Sequence, residues 1–136
     1  MADTFQLEIV TPEKRVVRAV AEDMQIPGKN GYLGILPGHA PLITELAVGE
    51  ISYSDGGYTH RIAVAWGFAE VLPDKVTILA ETAERAEEID VARAQEAKNR
   101  AEERLKSSDP ETDFKRARIA LQRAETRLEV AGKGSS

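Results

Sequence analysis

The chain has 136 residues, a net charge of −5 and no cysteine. That composition excludes disulfides, thiolate metal sites and cysteine nucleophiles, and it argues against sequence-independent nucleic-acid binding, which needs basic patches to displace counterions. With 42% hydrophobic and 30% charged residues the chain is composed like a soluble globular protein of one or two small domains.

The opening stretch, MADTFQLEIVTPEK, lacks the basic and apolar regions of a secretory signal. No segment approaches the ~18 consecutive apolar residues of a membrane span, so direct membrane insertion is not expected. Phe5, Leu7 and Ile9 alternate with Gln6 and Glu8, the period of a half-buried strand. A turn follows at Thr11–Lys14, then a less regular strand region from Val16 to Met24. Ile51 and Tyr53 lead into Ser54-Asp55-Gly56-Gly57-Tyr58, a hairpin signal, because tight turns need positive φ and glycine supplies it. Ile62, Val64, Trp66 and Phe68 alternate, and so do Val76, Ile78 and Ala80 after a turn at Pro73-Asp74. Short strands at this spacing predict a β-sandwich or flattened barrel.

The composition changes near residue 83. Five of the six prolines and all glycines except Gly132 and Gly134 precede that point, and a run of Ala, Glu and Arg follows, all good helix formers. One helix is expected from about Ala86 to Leu105, with Ala94, Ala97, Ala101 and Leu105 on one face. Ser107-Ser108-Asp109-Pro110 breaks it, and Asp109 or Ser108 can cap a second helix from about Glu111 to Ala131 with Pro110 at its first position. Phe114, Ala117, Leu121, Ala124 and Leu128 then form a narrow seam at spacings of three and four. The fold class is therefore α+β: an N-terminal antiparallel β-sandwich over 1–83, a two-helix antiparallel hairpin over 84–131 and a flexible tail over 132–136. An alanine seam buries little area, so the hairpin is expected to be weakly held and able to move.

Charge is divided unevenly between the two helices. From Glu81 to Glu103 eight acids face four bases, and from Phe114 to Leu128 five bases face one acid. The helices attract each other when folded together, and a released second helix would seek an acidic partner. Arg93, Arg100 and Arg104 share a face at spacings of seven and four, and Arg116, Arg123 and Arg127 repeat them. Antiparallel packing could set Arg93 and Arg100 against Arg127 and Arg123. Converging guanidinium groups suit a triphosphate held by side chains, since no glycine-rich phosphate loop is present. The alternative is two solvated, salt-bridged faces, of which Glu96 and Arg100 at i, i+4 are an example. His39 and His60 have no partner suited to catalysis or zinc, and no metal-ligand spacing occurs.

Residues 31–42 read Gly-Tyr-Leu-Gly-Ile-Leu-Pro-Gly-His-Ala-Pro-Leu. By their own chemistry they form a stiff loop carrying Tyr32, Leu33, Ile35 and Leu36, either a docking patch or an ordinary closing turn. This segment closely resembles the G-x-L-G-I-L-P-G-H-A-P-L segment of epsilon subunits of F-type, proton-translocating ATP synthases. Ile89-Asp90-Val91-Ala92-Arg93-Ala94 is similar to the I/L-D-x-x-R-A motif of the same family, in its bacterial form, and the resemblance extends over residues 4 to 131.

The resemblance implies a rotor subunit that does no chemistry itself. Its sandwich would sit on the gamma subunit and the c-ring through Tyr32, Leu33, Ile35, Leu36 and His39. Many members carry an acidic residue where Tyr32 stands, so packing rather than a charged contact is implied here. The hairpin would fold down on the sandwich or extend along gamma to the alpha and beta subunits and block hydrolysis, with Lys115, Arg116, Arg118, Arg123 and Arg127 as its contacts. No cofactor is implied as a requirement, but ATP is implied as a regulatory ligand of Glu84, Ile89, Asp90, Arg93, Ala94, Arg100, Arg123 and Arg127. Within that set Asp90 would orient Arg93 or accept from the adenine, and Ile89 and Ala94 would flank the base. The implied location is peripheral, on the cytoplasmic side of the bacterial membrane. Two other readings of the residues stay open: a stand-alone nucleotide-sensing module with a helical switch, and an adaptor whose hairpin joins a coiled coil.

Overall fold

A computed structural model describes residues 3–136. Met1 and Ala2, which open the expected 1–83 unit, lie outside the described residues. Eight strands come first: β1 (Phe5–Val10), β2 (Arg15–Ala21), β3 (Asp23–Gly28), β4 (Gly31–Ile35), β5 (Leu42–Leu46), β6 (Gly49–Asp55), β7 (Tyr58–Val71) and β8 (Lys75–Arg85). A 3-10 turn (Ala86–Glu88) leads to α1 (Val91–Leu105) and α2 (Phe114–Lys133).

The alternation in β1 does what its period requires: Phe5, Leu7 and Ile9 are buried while Gln6 faces out. The strands follow the order β2-β1-β8-β7-β5-β3-β4, and β6 joins β3 to β7. One pairing departs from the antiparallel expectation, because β1 runs parallel to β8. The region from Val16 to Met24 is also two strands, not one, with the chain turning at Glu22. The Gly56-Gly57 turn is as expected, with positive φ at both residues.

β7 closes the two layers into one core. Its first half pairs with β6 (Gly49↔Val64 to Asp55↔Tyr58) and its second half with β5 (Leu42↔Val71 to Leu46↔Gly67). The change of partner falls at Trp66-Gly67, where both residues have positive φ (52° and 124°). Gly67 is obligatory there: a Cβ would lie 1.9 Å from Leu79 O. Trp66 is the only non-glycine residue with positive φ among those described, and the corner turns its indole toward α2. Inside, Leu7, Ile9, Met24, Ile26, Ile35, Ile51, Ile62 and Ile78 fill the sandwich as one cluster.

The hairpin packs differently. Its buried seam consists of Ala94, Ala101, Ala117 and Ala124, while Ala97, Leu105, Leu121 and Leu128 are half-buried and Phe114 is exposed. Both helices begin later than expected. Asp90 caps α1 by accepting from Arg93 N at 3.1 Å, so Ala86–Glu88 stay outside the helix. Asp113, not Asp109 or Ser108, caps α2 by accepting from Arg116 N at 3.0 Å. Asp109 instead accepts from Glu111 N at 2.9 Å, which spends it on a local turn before the helix begins. At the other end α2 continues to Lys133. The tail does not hang free: Ser136 N donates to Thr59 O at 2.8 Å, because β7 presents an open edge there.

Candidate functional site

α2, rather than α1, carries the hairpin on the sandwich, resting on β6, β7 and the 3-10 turn. Val130 is the anchor. It is fully buried against Ala63, Ala86 and Ile89, a second small cluster apart from the main core. Beside this anchor an open cavity of about 690 Å³ lies between the hairpin and the sandwich. Small residues create it: Ala63, Ala65, Ala83, Ala97, Ala120 and Ala124 leave room that larger side chains would fill.

Four of the eight residues implied for ATP line this cavity, namely Glu84, Arg93, Arg123 and Arg127. They come from β8, α1 and α2, so the folded hairpin assembles them. The other four do not line it. Arg100 is exposed on α1. Ala94 is fully buried in the helix seam, and Ile89 packs against Val130's cluster. Asp90 is occupied as the α1 cap, where its carboxylate meets the Arg93 backbone rather than the guanidinium.

The arginines already have company. Arg127 Nε lies 2.7 Å from Glu84 Oε1, and its Nη2 donates to Oε2 at 3.2 Å. The Nε contact is a close ion pair whose angle is poor for a hydrogen bond, so Glu84 holds Arg127 mainly by charge and by the Nη2 bond. The Arg123 guanidinium lies over the Trp66 ring, 5.5 Å from its centroid. Lys14, Arg93, Arg123 and Arg127 are balanced by Glu13, Glu81, Glu84 and Glu88 around the same cavity. An anion that took Arg127 would have to compete with Glu84 for it, whereas Lys14, Arg93 and Arg123 line the same cleft outside that ion pair. The helix charge spacing gives no sign of Trp66, which comes from β7. Its one sequence signal is a bulky residue directly before a glycine within a strand pattern.

The second candidate surface, residues 31–42, is half strand and half turn. Gly31–Ile35 pair with β3, and only Leu36–Pro41 form a loop. Ile35 therefore points inward and is 1% exposed, so it cannot be a surface contact in this conformation. Leu33 and His39 are half-buried, and Tyr32 and Leu36 are exposed. Tyr32 OH accepts from Glu50 N at 3.0 Å, and His39 Nδ1 lies 2.6 Å from Ala40 O. Gly38, with φ 86°, makes the turn and donates its N–H to Pro73 O at 2.7 Å. That bond ties the turn to the β7–β8 connection, where Leu72 is also exposed. A further apolar strip crosses the outer face of the sheet. Phe68 and Leu79 are cross-strand partners, 53% and 55% exposed, with Ile43 beyond them on β5. Alternation alone places Phe68 at the same parity, and so on the same face, as Ile62 and Val64, which are buried. The corner at Trp66-Gly67 reverses that parity.

Of the five expected brake contacts, Lys115, Arg116 and Arg118 are exposed on α2, and Arg123 and Arg127 face the cavity. Among the described residues no cluster of His, Asp or Glu is arranged to hold a metal, and no helix is long and apolar enough to cross a membrane.

Comparison with known proteins accounts for both halves of the chain. Residues 4–86 match the family described as the ATP synthase Delta/Epsilon chain beta-sandwich domain, and residues 87–132 match its long alpha-helix domain. An ATP synthase epsilon chain from Koribacter versatilis is 78% identical over 111 residues, covering 82% of this chain and 78% of the relative. One from Syntrophobacter fumaroxidans is 50% identical over 133 residues, covering 98% and 99%. A chain of the Euglena gracilis mitochondrial ATP synthase superposes with a TM-score of 0.82 at 25% identity, covering 96% of this chain and 82% of that one. The chain belongs to the family of ATP synthase epsilon chains.

Proposed function

We propose that this chain is the non-catalytic rotor subunit that couples gamma to the c-ring during proton-driven ATP synthesis, and that its hairpin brakes ATP hydrolysis. The observation that carries the brake is the way the hairpin is attached. Its inner seam is alanine, its anchor is the single buried Val130 with Ala131 beside it, and its other contacts include the edge ion pairs of Arg127 and Lys133 and the Arg123–Trp66 stack. Such an arm can leave without opening the sandwich core, because no large side chain bridges the two clusters. Once released, α2 presents Lys115, Arg116, Arg118, Arg123 and Arg127 to an acidic partner surface on the alpha and beta subunits.

Docking on gamma and the c-ring fits the exposed Tyr32 and Leu36 together with the strip of Ile43, Phe68 and Leu79. The similar Euglena chain comes from an assembly of OSCP, F1 and c-ring, which supports the same setting here. The proposed location is accordingly peripheral, on the cytoplasmic side of the bacterial membrane, held by partner subunits.

The cavity supports a regulatory anion, with ATP as the proposed ligand. Arg93, Arg123 and Arg127 line it together, brought from α1 and α2 by the folded hairpin. The test is hydrolysis by a reconstituted complex carrying Arg123→Ala with Arg127→Ala, beside calorimetry of ATP binding to the isolated chain and to Arg93→Ala. Faster hydrolysis and lost binding are expected. Unchanged hydrolysis would remove the brake assignment, and unchanged ATP binding in Arg93→Ala would remove the cavity as its site.

A further inference from the structure

The first four residues of β7 have β6 on one side and nothing from β8 on the other. β6 pairs with β7 as far as Tyr58, whereas the β8 pairing begins only at Ile62, opposite Arg85, where β8 ends. Residues 58–61 thus carry an unpaired edge of N–H and C=O groups, the kind of edge an extended segment can extend as a strand.

Residues 134–136 occupy that edge. Ser136 N donates to Thr59 O at 2.8 Å, and Thr59 N donates back to Ser136 O, the reciprocal pair of an antiparallel bridge. Side chains add to it. Arg61 Nη1 donates to Gly134 O at 2.9 Å, Arg61 N donates to Ser135 Oγ at 3.1 Å, and Tyr58 OH donates to Ser135 O at 3.1 Å. One residue earlier, Lys133 Nζ donates to Glu50 Oε1 at 3.3 Å, and Glu50 in turn lies beside Arg61. The turn that brings the segment round is built into the end of α2. Gly134 N closes on Val130 O at 2.9 Å, and Gly134 then takes φ 64° and ψ −168°, which side chains with a Cβ resist. The bend therefore follows directly from Val130, the buried anchor of the hairpin.

We infer that the open edge of β7 at Tyr58–Arg61 is a strand-docking site whose ligand is this chain's own segment Gly134–Ser136, and that the docked segment latches the hairpin against the sandwich. The latch holds the far end of α2 at a point the alanine seam does not reach. It is made of backbone and side-chain hydrogen bonds at the sheet edge, so each is of modest net worth, and it opens without disturbing the core. Its regulatory meaning rests on the hairpin being a moving arm, whereas the docking itself does not.

The test uses the isolated full chain, a form lacking residues 134–136, and Gly134→Val, which blocks the bend by φ rather than by deletion. Two readouts are taken: amide exchange at Thr59, and acrylamide quenching of Trp66, the single tryptophan, which lies under Arg123 of α2. The expected result is a Thr59 amide protected in the full chain, exchanging about tenfold faster in both variants. Trp66 should become more accessible in both, and Ser136→Gly, which keeps the backbone bonds, should match the full chain. An unprotected Thr59 amide in the full chain would overturn the docking. Protection lost on deletion with Trp66 quenching unchanged would overturn the latch. Neither outcome depends on hydrolysis in the assembled complex, so a failure of the latch and a failure of the brake remain distinguishable.

Discussion

The sandwich and the hairpin are both regular and both buried on one side, but they are held by different means. The sandwich closes on a continuous cluster of Ile, Leu, Val and Met side chains. The hairpin closes on four alanines. Burial stabilises by about 25 cal/mol per Å² of apolar area, and an alanine offers a small fraction of what an isoleucine does. One region is therefore a platform, and the other is an arm whose place depends on the few points where it touches the platform. Close helix approach and weak attachment come from the same choice of small residue.

That comparison can be broken most directly at the platform. Gly67→Val places a Cβ into Leu79 O and forces a disfavoured φ, and should cost about 3 kcal/mol or more, seen as a lower urea midpoint for the whole chain. Ile78→Ala should cost about 2–5 kcal/mol by cavity formation in the same unfolding experiment. If either loosened only the hairpin, the division of labour would be wrong.

The arm should respond locally. Ala117→Leu overpacks the seam by about 1–3 kcal/mol. It should raise amide exchange throughout α1 and α2, and at Thr59 where residues 134–136 dock, while exchange in β1, β8 and the second half of β7 stays unchanged. Smaller still are the caps. Asp90→Ala and Asp113→Ala should each cost about 1 kcal/mol of local stability, visible as fraying of the first turns of α1 and α2 by the same exchange measurement.

The smallest effect lies in the sandwich at high pH. Burial pushes the Tyr53 phenol above its ordinary value of 10.0, with Arg85 partly opposing. The folded chain therefore holds that proton more tightly than the unfolded chain. Its contribution is fully present below pH 10 and is lost as pH rises through the folded value. Tyr53→Phe should flatten the alkaline end of the stability profile and leave it unchanged near neutrality.

Much of this architecture was legible in the residues. Period-2 alternation found most of the strands, the Gly56-Gly57 signal found the hairpin turn, and the Ala-rich run after residue 83 found the two helices. Helix starts were misplaced because capping is decided by which carboxylate actually reaches a free N–H. Asp113 does so, and Asp109 is spent on a turn. The segment 31–42 was recognisable, but its buried and exposed members were not. Ile35 turned inward because β4 pairs with β3. For the cavity, spacing along the helices identified the arginines, yet only Arg93, Arg123 and Arg127 reach it, and their partners Glu84 and Trp66 come from strands far away in sequence.

By itself, then, the sequence determined the alternation, the turns, the alanine seam and the charge of each helix, because all of these depend on neighbours within about a turn or a hairpin. It also determined the family, through a twelve-residue segment whose glycines and prolines leave little freedom. Tertiary structure alone decided the parallel pairing of β1 with β8, the corner at Trp66-Gly67 that moved Phe68 outside, and the open edge of β7 that receives residues 134–136. These depend on where distant strands begin and end relative to one another, and no local pattern carries that information.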